Sequence, residues 1–295
     1  EISWRNPEGG GVVSITTKAL GPMWGCLGGM LITTSYFLTA AISAVSGFHY
    51  IGSVVHLIDA NIVLFACIGL LALALLNIVG IRESATVALV MALAALTVDI
   101  LVIAISFWQF SPAQWWQALR SFAPGRTLSF QELLVGFGAA WLAFSGLESI
   151  SQLSPNMRFP LRRTAKWAMM GVITTTVITS PLLTLLSINL LPAEIKATES
   201  ERFISEVALV SGGFGLSLAV VLSASTLLLF AANTAIIGAY HIFLALTNLG
   251  FLPRAIALRS ATFRSPHIAI GIATTVPIVV ILATQGELAL LGEMY

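Results

Sequence analysis

The chain has 295 residues, of which 57% are hydrophobic and only 9% charged, against roughly 45–50% apolar and 25% charged in an average soluble domain. Such a chain has too few charges to cover a water-soluble surface. Fourteen Lys and Arg against thirteen Asp and Glu leave a formal charge of +1, which excludes the basic field that holds nucleic acid. Cys26 and Cys67 fall in different apolar stretches, so neither a disulfide framework nor the close spacing of a zinc site is present.

The chain opens on Glu1, without a charged n-region, a short apolar core and a cleavage site, and is read as an internal piece of a longer protein. A membrane-spanning helix needs roughly 20 mostly apolar residues. Runs free of Asp, Glu, Lys and Arg, or nearly so, mark seven such spans, at 22–47, 60–80, 85–108, 133–153, 167–191, 212–246 and 266–284. Residues 288–295 look like the start of a further helix. Gly21, Gly25 and Gly29 open the first span at four-residue spacing, which allows close helix approach. The segment 107–122 carries Trp108, Trp115 and Trp116 among polar residues, a pattern that suits a short helix lying at headgroup level. The sixth run would be about 50 Å long at 1.5 Å per residue, so it is one tilted helix or two short ones.

Lys and Arg accumulate in cytoplasmic loops, and their alternation tests the span count. With the start of the chain cytoplasmic and the sixth run a single span, ten of the fourteen fall inside: Arg5, Lys18, Arg82, Arg158, Arg162, Arg163, Lys166, Arg254, Arg259 and Arg264. Arg120, Arg126, Lys196 and Arg202 fall outside. Splitting the sixth run would move Arg254, Arg259 and Arg264 to the wrong face. The expectation is therefore a multi-pass protein of the plasma (inner) membrane, with seven spans and a cytoplasmic start.

Ionisable groups within spans are costly and by default functional. Asp99 lies well inside the third span, either as a proton or cation site or in a structural hydrogen bond to a neighbouring helix. Glu148 follows Ser145 and Gly146 in the fourth span. Glycine lowers helix propensity by roughly 1 kcal/mol relative to alanine and serine competes for backbone hydrogen bonds. This is therefore a place where the helix can unwind and expose polar backbone, as broken helices do in secondary transporters. The alternative is a packing glycine, with Glu148 paired to the loop that holds Arg158 and Lys166. His241, near the inner end of the sixth span, is read as a satisfied buried histidine or as a proton carrier. Ser223, Ser225, Thr226 and Asn233 make part of that span polar, as a pathway-lining helix or through interhelical hydrogen bonds. His49 and His56 flank an external loop without a carboxylate or cysteine at ligand spacing, so no metal site is expected. No phosphate loop, His-Glu-x-x-His or nucleophile set is evident, and no enzyme activity or cofactor is expected. A rhodopsin-like receptor is excluded by the cytoplasmic start and by the absence of a Lys in the last span.

Four stretches resemble the amino acid, polyamine and organocation (APC) permease superfamily, whose members share the leucine-transporter fold. Glu1-Ile2-Ser3-Trp4, Pro7-Glu8-Gly9-Gly10 and Ala19-Leu20-Gly21-Pro22-Met23-Trp24-Gly25 are similar to the loop between that family's second and third helices. The stretch from Leu76 through Asn77, Gly80, Arg82 and Glu83 to Ala85 resembles its fourth-to-fifth helix corner. Phe144-Ser145-Gly146-Leu147-Glu148-Ser149, with Arg158, Pro160 and Arg162 behind it, is similar to the unwound sixth helix and the basic loop that follows. Gly250-Phe251-Leu252-Pro253 and Ser265-Pro266 resemble the end of the eighth helix and the start of the ninth.

The resemblance implies an all-α transmembrane bundle with two inverted five-helix repeats, represented here by the family's third to ninth helices. Residues 1–295 would form one membrane-embedded domain, with 22–108 ending the first repeat and 133–295 starting the second. It implies a secondary transporter of amino acids or related amines, working by alternating access with proton or sodium coupling or by exchange, in contact with membrane lipid. A non-transporting membrane sensor for amino acids is the alternative. It places the substrate's amino or carboxylate end against Phe144, Ser145, Gly146 and Leu147, and aligns Glu148 with a position that couples conformation to pH in some members. Ala95 aligns with a lysine that some members carry where sodium-coupled relatives bind the ion, with Asp99 one turn further along. Pro155-Asn156, His241 and Asn248-Leu249 depart from the acidic and basic residues of the family's cytoplasmic side, which puts gate salt bridges in doubt more than substrate binding.

Overall fold

The computed structural model describes residues 11–80, 85–121, 129–141, 157, 159–198 and 200–295. These residues form helices and connecting turns, with no strand among them. In chain order the helices are α1 (Gly11–Leu20), α2 (Pro22–Gly52), α3 (His56–Asp59), α4 (Ile62–Val79), α5 (Ala85–Trp108), α6 (Pro112–Ser121) and α7 (Phe130–Trp141). They continue with α8 (Leu161–Leu190), α9 (Ala193–Thr198), a 3-10 turn at Ser200–Arg202, α10 (Phe203–Asn248), a second 3-10 turn at Arg254–Ala257, α11 (His267–Thr284) and α12 (Leu288–Met294). Six of these, α2, α4, α5, α8, α10 and α11, are long and apolar enough to cross a membrane. The fourth expected span is described only as α7.

Helix boundaries depart from the expected ones where local chemistry overrides hydropathy. The first span runs on to Gly52, because Gly47 is a packing residue and not a terminator: a Cβ there would lie 3.4 Å from Leu228. Helix α7 starts at Phe130 because Ser129 and Glu132 form a reciprocal capping box. The Ser129 backbone N–H donates to Glu132 Oε2 at 2.8 Å and the Glu132 N–H donates to Ser129 Oγ at 3.2 Å. Helix α8 begins directly after Pro160, so Arg162, Arg163 and Lys166 occupy its first turns and not a loop. The long sixth run is one helix interrupted at Gly213 (φ 72°, ψ −171°), a conformation that glycine adopts far more readily than other residues. The break leaves a ten-residue piece, 203–212, ahead of a main body of about 50 Å.

The core is built on α2 and α10, which run antiparallel in contact over most of the bilayer thickness. A Cβ at Gly29 would meet Leu246 at 3.3 Å, one at Gly238 would meet the Tyr36 ring at 2.6 Å, and one at Gly47 would meet Leu228. Gly29 to Gly47 corresponds to about 27 Å of helix, close to the ~30 Å hydrocarbon layer. Between these points lie small buried residues, Ala40, Ala41 and Ala44 on α2 and Ala232, Ala235 and Ala239 on α10. Ala66 and Leu70 of α4 and Ala269, Ala273 and Ile281 of α11 complete this cluster. A second cluster joins Val102 of α5, Leu183 and Leu186 of α8, and Val207 and Val220 of α10. The glycines at 21, 25 and 29 divide their work. Gly21 (φ 99°) turns the chain between α1 and α2, while Gly25 and Gly29 let α1 fold back, with Thr17 and Val13 lying against them.

The 107–122 segment contains the expected short helix, α6. Trp115 stacks on Phe107 at 4.5 Å and meets Phe110 edge-on at 5.6 Å, which holds α6 against the end of α5. Trp108 and Trp116 remain exposed, as amphipathic rings at a headgroup boundary do.

Replacing Gly238 with alanine drives a methyl group into the Tyr36 ring and is expected to lower stability by about 1–3 kcal/mol. Gly271→Ala, with nothing within 4 Å of the new Cβ, is expected to be neutral or slightly stabilising. Thermal unfolding of the detergent-solubilised variants checks the pair.

Candidate functional site

Helix α5 buries Ala95, Val102 and Ser106, and Asp99 falls on the same stripe at heptad spacing. The half-buried Asp99 side chain therefore belongs to the face of α5 turned into the protein. Its carboxyl lies near enough to the buried Tyr50 hydroxyl, at the end of α2, to act on it electrostatically. Further along the stripe, Ser106 Oγ is 2.7 Å from Ser211 Oγ of α10, and Gln109 Nε2 donates to the Ser211 carbonyl. These bonds fasten α5 to α10 two residues before the Gly213 break.

Of the four polar residues expected to line the sixth span, Ser223, Ser225 and Asn233 are buried and Thr226 is half-buried. Ser223 is buried and donates to its own helix, to the Ala219 carbonyl, at 2.8 Å. Ser225 is buried and Thr226 half-buried, and both hydroxyls donate to the Leu222 carbonyl, at 3.3 and 2.7 Å. Only Asn233 reaches another helix: Asn77 Nδ2 of α4 donates to Asn233 Oδ1 at 2.6 Å and to the Leu73 carbonyl at 2.8 Å. Each of the four thus makes a hydrogen bond within its own helix or to a neighbouring one. His241 was expected to be buried, but it is exposed, with its ring 4.6 Å from that of the adjacent Tyr240. Residues 144–148, which carry the expected substrate contacts and Glu148, lie outside the described residues.

A polar cluster that the sequence did not reveal sits at the end of the bundle where α2 stops and α10 starts. His49 Nε2 lies 2.6 Å from Glu201 Oε2. Arg202 reaches Asp59 Oδ1 at 3.7 Å through Nη1, and Glu206 Oε1 at 3.8 Å through Nε. His49, Asp59 and Glu201 border an open cleft of about 740 Å³, walled by Ile62, Val63 and Leu282 and closed at one edge by Glu287. His49 is engaged by Glu201, and no cluster of three metal-ligating side chains occurs among the described residues. No sequence signal could have found the cluster, since it joins residues about 150 positions apart through tertiary packing alone.

The basic residues assigned to this face have local structural tasks. Lys196 Nζ donates to the Ile188 carbonyl at 2.6 Å and so caps α8. Arg120 lies 5.1 Å from the Trp116 ring centre. Arg202 is held by two carboxylates.

A family model described as amino acid permease matches residues 1–294. The chain belongs to that family, within the amino acid, polyamine and organocation superfamily. A curated relative, the potassium transporter KimA of Bacillus subtilis (strain 168), is 28% identical over 180 residues, which is 59% of this chain and 29% of that protein. The match thus spans less than a third of the relative's length.

In this permease-family chain the Asn77–Asn233 pair is the side-chain tie between α4 and the central helix α10. A double-mutant cycle with Asn77→Ala and Asn233→Ala, read by thermal unfolding, is expected to give a coupling energy of about 0.6–1.7 kcal/mol.

Proposed function

We propose that this chain is the central part of a secondary transporter of amino acids or related amines, working by alternating access in the plasma membrane with its first residue on the cytoplasmic side. Family membership over residues 1–294 is the observation that carries the reading. The charge alternation supports the orientation, since three of the basic residues assigned outside are occupied by a helix cap, an aromatic ring and carboxylates. In this reading residues 22–108 end one inverted repeat and 133–295 begin the next. The substrate's charged end meets backbone at Phe144, Ser145, Gly146 and Leu147, assigned on the family resemblance. Glu148 and Asp99 are the proton or cation coupling groups, and the protein-facing position of Asp99 supports its part. The relative named a potassium transporter supports a second reading, in which the cargo is a monovalent cation.

The full-length protein in liposomes, preloaded with amino acids and amines, separates these readings. Counterflow of one labelled class marks the permease, and rubidium uptake without it marks the cation carrier. Saturable binding with neither marks a sensor.

If Asp99 couples, Asp99→Asn flattens the pH dependence of uptake while substrate binding persists. An unchanged pH profile in that variant removes Asp99 from the mechanism. Gly146→Val is expected to lower uptake at least about tenfold by opposing the unwound backbone, equivalent to about 1.4 kcal/mol, with the folded yield unchanged. Initial-rate assays on both variants make the comparison.

A further inference from the structure

The piece of α10 at 203–212 is attached at both ends by contacts unlike those of the rest of the bundle. At its far end Gly213 breaks the helix with φ 72° and ψ −171°, and Ser211 is bonded to Ser106 and Gln109 of α5. At its near end the 3-10 turn Ser200–Arg202 is joined to the last turn of α2 by His49 and Glu201, and to the end of α3 by Arg202 and Asp59. The two ion contacts differ in kind. Arginine stays charged at all physiological pH values, whereas a histidine changes charge between about pH 5 and 8.

We infer that the His49–Glu201 pair is an acid-strengthened latch that holds the 3-10 turn, and with it the start of α10, against the end of α2. The geometry carries this: a contact of 2.6 Å joins the 3-10 turn directly ahead of α10 to the last turn of α2. The charged and titratable groups around His49 are Tyr50 of α2, His56 and Asp59 of α3, Glu201 and Arg202 of the 3-10 turn, Glu206 of α10, Cys67 of α4 and Glu287 beyond α11. With imidazolium and carboxylate both present the contact is a charge-assisted bond, about twice as strong as a neutral one. With a neutral imidazole the contact is an ordinary hydrogen bond, and the latch is weaker. Arg202, held between Asp59 and Glu206, keeps the turn in register throughout.

Hydrogen–deuterium exchange of the full-length protein in nanodiscs, read as the ratio of wild type to variant at each pH so that intrinsic exchange cancels, tests this directly. Protection of amides 203–212 in the wild type relative to His49→Gln is expected to fall by about fivefold between pH 5.5 and 8.0, the difference between a charge-assisted and a neutral bond. His49→Arg, with a fixed charge, is expected to keep at pH 8.0 the protection that the wild type shows at pH 5.5. Glu201→Gln should reproduce the His49→Gln result, which covers the case of a variant that folds poorly. A wild-type to His49→Gln ratio that does not change with pH overturns the latch. So does a pH effect that persists in Glu201→Gln.

Discussion

In a hydrocarbon solvent apolar side chains gain nothing by leaving lipid for protein, so helices associate through close contact and hydrogen bonding. The α2–α10 pair meets that constraint by removing side chains. Gly29, Gly47 and Gly238 stand where the partner helix's Leu246, Leu228 and Tyr36 press in, and alanines fill the interval. Backbone can then approach backbone over about 27 Å, and the helices of both core clusters pack against this pair. Helices α4 and α11 pack on one side, α5 and α8 on the other, and α1 folds back onto the first turns of α2.

The same solvent dictates how polar groups are used. Thr33, Ser187, Ser223, Thr247 and Thr274 each donate to the carbonyl four residues earlier, so their hydroxyls are satisfied without a partner helix. Groups that do cross between helices are therefore few and specific. Asn77 meets Asn233, Ser106 meets Ser211, and Ser265 Oγ donates to the Ile78 carbonyl at 2.6 Å to pin the loop before α11 to the end of α4. Asp99, on the inward stripe of α5 with a phenol nearby, is the carboxylate that packing alone does not explain. That is the physical reason for giving it a coupling role in the proposed transport cycle.

The ion pairs of the described residues gather at one end of the bundle, where water is available and ion pairs are cheap to solvate. There Arg202, Asp59, Glu206, His49 and Glu201 stitch the 3-10 turn to α2 and α3 beside an open cleft.

Element type and the approximate positions of the spans were legible in the sequence, because long charge-free runs admit one structure in a bilayer, and the permease family was legible in the stretches that resemble it. The short helix α6 was legible too, from its tryptophans among polar residues. The start of α7 was written locally too, in Ser129 and Glu132, but hydropathy does not see a capping box. Which side chains face one another was decided only by tertiary packing. Nothing local tells that Asn233 meets Asn77 while Ser223 bonds within its own helix, that Gly47 is a contact and not an end, or that His49 meets Glu201. Each depends on helix rotation and register, which follow from the fit of residues distant in the chain.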